Sequence, residues 1–149
     1  MICVDPVLQR LLDEGSIIAV CVRYATAIDD RDWARLRSCF LPDAVGIYHA
    51  DRRLDGAEAI VETIRTAVTP LSRTQHLVGT FIVDLQGDEA SSSCYLHAQH
   101  VRVGVPGGEK YVIAGRYVDR FTRTRDGWRI CERRLDRWWT DGNPAVTAR

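Results

Sequence analysis

Tyr24, Asp29 and His76 have the residue types and the settings that acid–base chemistry requires. Asp29 lies eleven residues after Ile18, at the end of an apolar stripe with the spacing of an amphipathic helix. If the helix reaches that far, the carboxylate lies on the face that packs against the core. A buried Asp is rare unless it is paired, so we expect a partner elsewhere in the chain. His76, inside an otherwise apolar strand, is the best candidate.

An imidazole paired with a carboxylate is a suitable general base at neutral pH. His76 could accept a proton from carbon, while Asp29 on the other ring nitrogen fixes the tautomer and stabilises the imidazolium. The phenol of Tyr24 could donate a hydrogen bond to a carbonyl or to a departing hydroxyl. Structural alternatives stay open at this point. Asp29 could cap a second helix, His76 could be a satisfied core residue, and Tyr24 could serve packing alone.

The composition indicates one globular domain with no strong field around it. The chain has 149 residues, of which 46% are hydrophobic and 27% are charged. We assign residues 1–140 to the domain and expect 141–149 to form a loose C-terminal tail. Twenty basic and twenty acidic residues cancel, so we expect neither nucleic acid nor a membrane as a partner. Charge interrupts each apolar run before it could span a bilayer.

The five cysteines are odd in number and show no C-x-x-C spacing. Most fall in apolar segments, where a reduced buried thiol is the default interpretation. The pattern predicts free thiols and a cytoplasmic location. It also shows no cluster with metal-ligand spacing, so we expect no metal ion.

The order of the elements predicts an α+β fold. Helices are predicted from Asp5-Pro6 to about Asp29, with a break or a new cap suggested at Gly15-Ser16, then from Trp33 to Phe40. A third helix is predicted from the capping box Asp55-Gly-Ala-Glu58 to Thr69-Pro70. A short hairpin is predicted over 44–54. Four long strands follow, ending at turns that contain Gly87, Gly108 and Gly127, and are predicted over 74–85, 89–104, 109–124 and 127–139.

We predict that these four strands form a strongly curved antiparallel sheet. The concave face would wrap around the three helices and leave one open-ended cavity. Strands of this length suggest bending through bulges. A parallel arrangement of the four strands, or a helix between Thr74 and Asp136, would contradict the prediction.

The last strand carries an arginine-rich stretch that we interpret as a solvated or interface surface rather than an anion site. Two acidic residues interleave the basic ones, which are Arg129, Arg133, Arg134 and Arg137. The tryptophans of the same region are expected in the core or at a subunit interface. His97 and His100 alternate on one strand, so at most one of them points into the cavity.

Several short motifs, taken in order, resemble the SnoaL-like branch of the nuclear-transport-factor-2-like superfamily. The resemblance covers nearly the whole chain. It rests on Tyr24-x4-Asp29-x2-Asp32-Trp33, Cys39-Phe40-x-Pro42-Asp43-Ala44, Thr74-Gln75-His76, Gly115-Arg116-Tyr117-x-Asp119 and Asp126-Gly127-Trp128-Arg129-Ile130. The fold that it implies is a cone-shaped α+β barrel with a pocket between the first helix and the inner sheet face.

The resemblance also implies site residues. Members such as scytalone dehydratase and bile-acid 7α-dehydratase use an Asp–His pair, whose positions Asp29 and His76 match. Tyr24 matches a catalytic tyrosine of the family. Tyr48 and His100 match further pocket positions. We count Trp33, which closes the first motif, among the residues expected to contact substrate.

The resemblance implies a cofactor-independent lyase or isomerase acting on a small, largely apolar cyclic substrate, such as a polyketide- or steroid-like ketone. It also implies a homo-oligomer, a dimer or trimer packed through the outer sheet face. Two alternatives stay open because the fold carries many functions. One is a non-catalytic ligand-binding or assembly module. The other is an epoxide hydrolase, which needs an Asp–Arg–Asp arrangement for which Arg116 is the only candidate arginine.

Overall fold

The computed structural model describes residues 5–49 and 51–148. Over these residues the chain forms three α-helices and six strands, followed by a short 3₁₀ helix. The helices are α1 (Pro6–Asp29), α2 (Trp33–Arg37) and α3 (Ala57–Val68), and the 3₁₀ helix spans Pro144–Val146. The strands are β1 (Phe40–Tyr48), β2 (Arg52–Asp55), β3 (Arg73–Gln86), β4 (Glu89–Val101), β5 (Lys110–Thr124) and β6 (Gly127–Gly142). The predicted α+β order is confirmed.

The six strands form one curved sheet in the order β2-β1-β6-β5-β4-β3. Strands β3 to β6 pair as the predicted antiparallel meander, and β1 and β2 form the predicted hairpin. Strand β1 also pairs with β6 in parallel, which makes the sheet mixed. The sequence has no local signal for this pairing, because parallel neighbours are joined by long connections rather than by turns.

Irregularities in the ladders bend the long strands, as the sequence predicts. The register shifts once between β3 and β4 and twice between β5 and β6. At one of these shifts a Cβ on Gly115 would overlap the carbonyl oxygen of Asp136, so the close approach of β6 requires glycine. A bulge bends the strand and increases its twist, which gives the sheet its concave face.

Helix α1 lies in the concave face and ends at the candidate site. Asp5 caps it by accepting hydrogen bonds from the amides of Val7 and Leu8. The helix continues without a break through Gly15, where the sequence suggests an interruption. Ile17 is fully buried on the face of α1 that packs against the core, whereas Val22 is 42% exposed.

The C-terminal segment is not a loose tail over the residues described. Strand β6 continues to Gly142, and Asn143 caps the 3₁₀ helix by accepting a hydrogen bond from the amide of Ala145. The side chain of Asn143 also donates to the carbonyls of Pro106 and Gly108. Val146 is fully buried. The buried Val146, the capped turn and the hydrogen bonds of Asn143 hold the segment, and none of them has the periodicity that sequence patterns detect.

The core contains a buried ion pair between neighbouring strands β5 and β6. The guanidinium of Arg133 donates to the two carboxylate oxygens of Asp119 at 2.7 and 2.6 Å, and both side chains are fully buried. Its central carbon lies 3.9 Å from the ring centre of Tyr24 and 4.2 Å from that of Tyr117. The expectation of a solvated or interface position is therefore wrong for Arg133.

The cysteines that the structure describes are free thiols. Cys21, Cys39 and Cys94 are buried, and Cys131 is partly buried. Cys3 lies outside the described residues. Within 5–49 and 51–148 no helix is long and apolar enough to cross a membrane. A cytoplasmic location stays a prediction.

Removing one charge of the buried pair should be far more costly than removing one charge of an exposed pair. Asp119→Asn leaves the Arg133 charge unpaired in the core, so we expect a loss of about 3–5 kcal/mol in the free energy of unfolding. The matched control is Asp136→Asn, which breaks the partly exposed pair with Arg116 on the outer face and should cost about 1 kcal/mol or less. Urea unfolding measures both; equal losses would contradict the role assigned to the buried pair.

Candidate active site

Asp29 and His76 are in hydrogen-bond contact. Asp29 is the last residue of α1, and His76 lies near the start of β3 on its inner face. The imidazole Nδ1 lies 2.7 Å from Asp29 Oδ1, and the backbone amide of His76 donates to Oδ2 at 2.8 Å. The carboxylate therefore fixes both the ring and the strand that carries it. The sequence places these two residues together correctly; their catalytic role stays a prediction.

Two further residues hold the carboxylate in place. The hydroxyl of Thr74 donates to Asp29 Oδ1 at 2.9 Å and accepts from Nη1 of Arg31 at 2.8 Å. Arg31 also donates to the carbonyl of Ile28 at the end of α1. The sequence motif includes Thr74 without giving it a role, and nothing in the sequence links Arg31 to the site. Its position follows from a left-handed backbone conformation just after the helix, with φ of 60°.

The pKa of Asp29 lies below its ordinary value. Desolvation by burial acts to raise it and is the largest single influence. The hydrogen bonds from the ring and backbone amide of His76, the charge of His76 and the Thr74 hydroxyl together outweigh that effect. Asp29 is therefore an anion at neutral pH and accepts the proton on Nδ1 of His76. Nε2 is left with a lone pair on the side of the ring away from Asp29.

The imidazole lines a cavity with two connected parts. The inner chamber has a volume of about 90 Å³ and is lined by Tyr24, His76 and Tyr117 among others. The outer chamber has about 300 Å³ and is lined by residues of β2, α3 and β6 among others. Tyr48 and His100 line both chambers, so the cavity is continuous. Its total size is at the lower end of the range for small-molecule sites.

Two tyrosine hydroxyls meet in the inner chamber. The oxygens of Tyr24 and Tyr48 are 3.2 Å apart. Burial raises the pKa of both phenols, so both are neutral donors at physiological pH. Since only one proton lies between the two oxygens, the other hydroxyl can donate to a carbonyl or hydroxyl in the cavity. Both tyrosines were predicted as site residues, and both line the chamber.

His100 is the inward-facing histidine of β4. It is buried, and its Nδ1 lies 3.2 Å from the carbonyl oxygen of Tyr111. Desolvation, and then the nearby charge of His76, lower its pKa to about 4. The ring is therefore neutral, and with Nδ1 donating to the carbonyl its Nε2 is a hydrogen-bond acceptor. His97 faces the opposite side of the sheet, against Trp139.

Trp33 does not line the cavity, which corrects its prediction as a substrate contact. It is the first residue of α2 and packs, partly buried, against the core. The chain turns between Asp29 and Trp33, so Trp33 begins α2 rather than extending the α1 face that carries Tyr24. Arg116 is likewise on the outer face, paired with Asp136 at 3.0 Å and lying over Trp138.

The outer chamber has basic residues that the sequence did not single out as binding residues. Arg52 of β2 and Arg137 of β6 both line it, together with His49, which contacts Arg137. No acidic residue is among the described residues that line either chamber. The sequence shows that β6 is rich in arginine. It does not show which of these arginines faces the cavity, because that depends on the bulges.

The geometry can be compared with known proteins. The profile of the SnoaL-like domain matches residues 9–134. The chain belongs to the SnoaL-like family. An uncharacterized protein of Mycobacterium tuberculosis is 33% identical over 126 residues, which cover 83% of this chain and 84% of that protein. A protein of Mycobacterium bovis matches equally well.

Solved structures share the fold at lower identity. A protein from Kribbella flavida superposes with a TM-score of 0.86 at 20% identity, covering 93% of this chain and 98% of that one. A candidate scytalone dehydratase from Novosphingobium aromaticivorans gives a TM-score of 0.82 at 19% identity, with 90% and 89% covered. A hexachlorocyclohexane dehydrochlorinase of type 2 gives 0.81 at 17%, with 95% and 96% covered. These likenesses confirm the predicted cone-shaped fold of the superfamily.

The hydroxyl of Thr74 should tune the acidity of Asp29. Thr74→Val keeps the shape and removes one hydrogen bond to the carboxylate, so the pKa of Asp29 should rise toward its ordinary value of 3.8. Because the pKa is lowered by folding, the carboxylate contributes stability above its unfolded pKa and loses it as the pH falls through the folded pKa. Thr74→Val should therefore begin acid unfolding at a higher pH.

The measurement is an NMR titration of the Asp29 carboxyl carbon, with acid unfolding in parallel. Thr74→Ser keeps the hydroxyl and serves as the control, which should titrate like the wild type. An unchanged titration in Thr74→Val would show that the hydroxyl does not position Asp29.

Proposed function

We propose that this SnoaL-like protein is a cofactor-independent lyase that removes water from a small cyclic β-hydroxy ketone. The observation that supports the proposal most directly is the anionic Asp29 on Nδ1 of His76, which leaves the lone pair of Nε2 beside the chamber of the two tyrosine hydroxyls. An epoxide hydrolase is less well supported, because Arg116 lies outside the cavity. A purely structural role of the Asp29–His76 pair is also less well supported, because such a pair would not require a chamber beside the imidazole.

The proposed reaction begins with proton abstraction. His76 Nε2 takes the proton from the carbon next to the carbonyl, and the electrons of that C–H bond move onto the carbonyl oxygen as an enolate. A hydroxyl of the Tyr24–Tyr48 pair donates to this oxygen and stabilises its charge. Asp29 stabilises the imidazolium that forms. The three groups come from α1, β1 and β3, so the folded arrangement brings them together.

The reaction is completed by loss of the hydroxyl group. The enolate electrons return to form the carbon–carbon double bond, and the C–O bond to the β-hydroxyl breaks. The imidazolium of His76 returns its proton to the departing oxygen, which leaves as water. His100, neutral and with an acceptor nitrogen, is suited to hold the substrate hydroxyl in position. With a β,γ-unsaturated ketone as the substrate, the same proton abstraction would give a dienolate, and return of the proton to its γ carbon would complete a double-bond isomerisation, the second reaction that this site could support.

Removing the imidazole should abolish turnover while leaving the fold largely intact. General-base catalysis typically contributes about 10²–10⁴-fold, so His76→Ala should lower turnover by at least that range. Asp29→Asn should also lower it strongly, because the amide cannot stabilise the imidazolium. The two losses should be non-additive, since the residues act as one unit. Turnover is measured on a panel of cyclic β-hydroxy ketones, by absorbance of the enone and by mass spectrometry for loss of water.

Matched controls separate chemistry from stability. His97→Ala removes an imidazole from the outer face of the sheet, and Asp30→Asn removes the neighbouring exposed carboxylate. Both should leave turnover unchanged. Thermal unfolding of every variant accompanies the assay. If His76→Ala keeps full turnover, or if turnover falls only in proportion to lost folded protein, the enzyme proposal fails and a ligand-binding module becomes the better explanation.

We also propose that the chain forms a homo-oligomer through the outer sheet face. Four large apolar side chains there are about half exposed: Leu77, Tyr95, Trp138 and Trp139. They line one shallow depression on β3 to β6, and Trp138 packs edge-on against Tyr95. Contiguous exposed apolar surface of this kind is typical of interaction sites.

Introducing a charge into the exposed apolar surface should dissociate the oligomer. We expect sedimentation to give a dimer or trimer for the wild type and a monomer for Trp138→Glu. Val103→Glu, at an exposed apolar residue outside this depression, is the control and should leave the oligomer unchanged. A monomeric wild type at micromolar concentration would contradict the proposal.

A further inference from the structure

The two chambers of the cavity differ in chemical character. The inner chamber presents Tyr24, His76 and His100 among apolar side chains. The outer chamber adds two arginines and two threonines to its walls. A ligand that spans both chambers would therefore meet phenol and imidazole groups at one end and two guanidinium groups at the other.

Arg52 faces the cavity because side chains alternate between the two faces of β2. Arg52 and Leu54 of β2 both line the outer chamber, whereas the intervening Arg53 pairs with Asp55 on the other side of the strand at 2.9 Å. On β6, Arg137 lines the chamber. Arg134, three residues earlier, pairs with Asp51 at 2.8 Å.

The two inward-facing arginines have no acidic partner. Among the described residues, none of the ion pairs includes Arg52 or Arg137. The nearby carboxylates of Asp51, Asp55 and Asp136 are each paired with a different arginine. Two positive charges without a counter-charge thus lie at the wide end of a cavity whose described lining contains no carboxylate.

We infer that Arg52 and Arg137 form a binding site for an anionic oxygen group on the substrate, a carboxylate or a phosphate. The inference rests on the proposed function and adds a substrate class to it: a cyclic ketone whose far end carries a negative charge. A guanidinium matches the planar arrangement of carboxylate or phosphate oxygens and can bind them in a bidentate manner. Thr63 lines the same chamber, and its hydroxyl can donate a further hydrogen bond. For Arg137 the inference favours an anion site over the sequence-based interpretation of the basic β6 residues as a solvated or interface surface.

The test is direct binding of matched probes, which needs no turnover. We use bicyclic and tricyclic aromatic carboxylates, each with its neutral carboxamide, and the corresponding aryl phosphates. At low ionic strength at least one carboxylate or phosphate should bind the wild type at least about tenfold more tightly than its neutral partner, and the preference should decrease with added salt. In the double variant Arg52→Gln/Arg137→Gln the ratio should fall to about one. Comparison of the carboxylate and phosphate series identifies which anion the site prefers.

The control carries the same change in net charge. Arg53→Gln/Arg134→Gln removes two arginines from neighbouring positions on the same strands, and it should keep the preference. If no anionic probe binds more tightly than its amide, or if the preference survives in Arg52→Gln/Arg137→Gln, the inference is wrong. The preference should also persist in His76→Ala. If the wild type shows no anion preference but His76→Ala still loses turnover, only the anion site is refuted. If the wild type shows the preference but His76→Ala keeps full turnover, only the lyase is refuted.

Discussion

The structure depends on one charge–charge contact in the middle of the fold, the pair of Arg133 and Asp119. Burying two ions is costly, and the cost is offset here by two short hydrogen bonds and by the stacking of the guanidinium on two aromatic rings. The rings belong to Tyr24 of α1 and Tyr117 of β5. The pair therefore joins β5 to β6, and its guanidinium packs against α1 through the ring of Tyr24. It also places a fixed positive charge against the rings of Tyr24 and Tyr117. This charge stabilises partial negative charge that develops on the phenol oxygens.

The end of α1 is held by a second polar group. The carboxylate of Asp29 accepts from Thr74, from the backbone of His76 and from its ring, so three donors on β3 meet one acceptor on the helix. Each bond restricts the carboxylate, and the carboxylate in turn restricts the imidazole. A base whose orientation is fixed before substrate binds has less reorganisation to undergo during proton transfer. The two polar contacts, one along the helix and one at its end, thus position Tyr24 and His76 relative to each other.

The sequence predicted the helices, the meander and the Asp29–His76 contact because each has a local pattern. Helical spacing, turn residues and an acidic residue on an apolar stripe are visible within a few residues. Arg133 could not be placed in this way. Trp128 and Ile130 face inward, so simple alternation would direct Arg133 outward. The register of β5 and β6 shows why it does not. Ile130 pairs with Phe121 and Glu132 pairs with the preceding residue, Arg120, so Cys131 is an extra residue on β6. A one-residue bulge exchanges the two faces of a strand, and nothing in the local sequence marks it. Trp33 was misplaced for a related reason, since the turn after Asp29 determines its direction.

Strand β6 has four different roles along its length, because two bulges change which face of the sheet its residues occupy. Before the first bulge it contributes Trp128 and Ile130 to the core, and after it Arg133 supports the floor of the site. Further along, Arg137 lies opposite Gly115 and faces the mouth of the cavity. Ala114, the next residue of β5, pairs with Trp139, so Trp138 is the extra residue of the second bulge, and both tryptophans are exposed on the outer face. A regular strand could not present Arg133 and Arg137 inward and two consecutive tryptophans outward. The bulges therefore connect the chemistry of the cavity to the surface proposed for self-association, because a change of register in β6 would alter both.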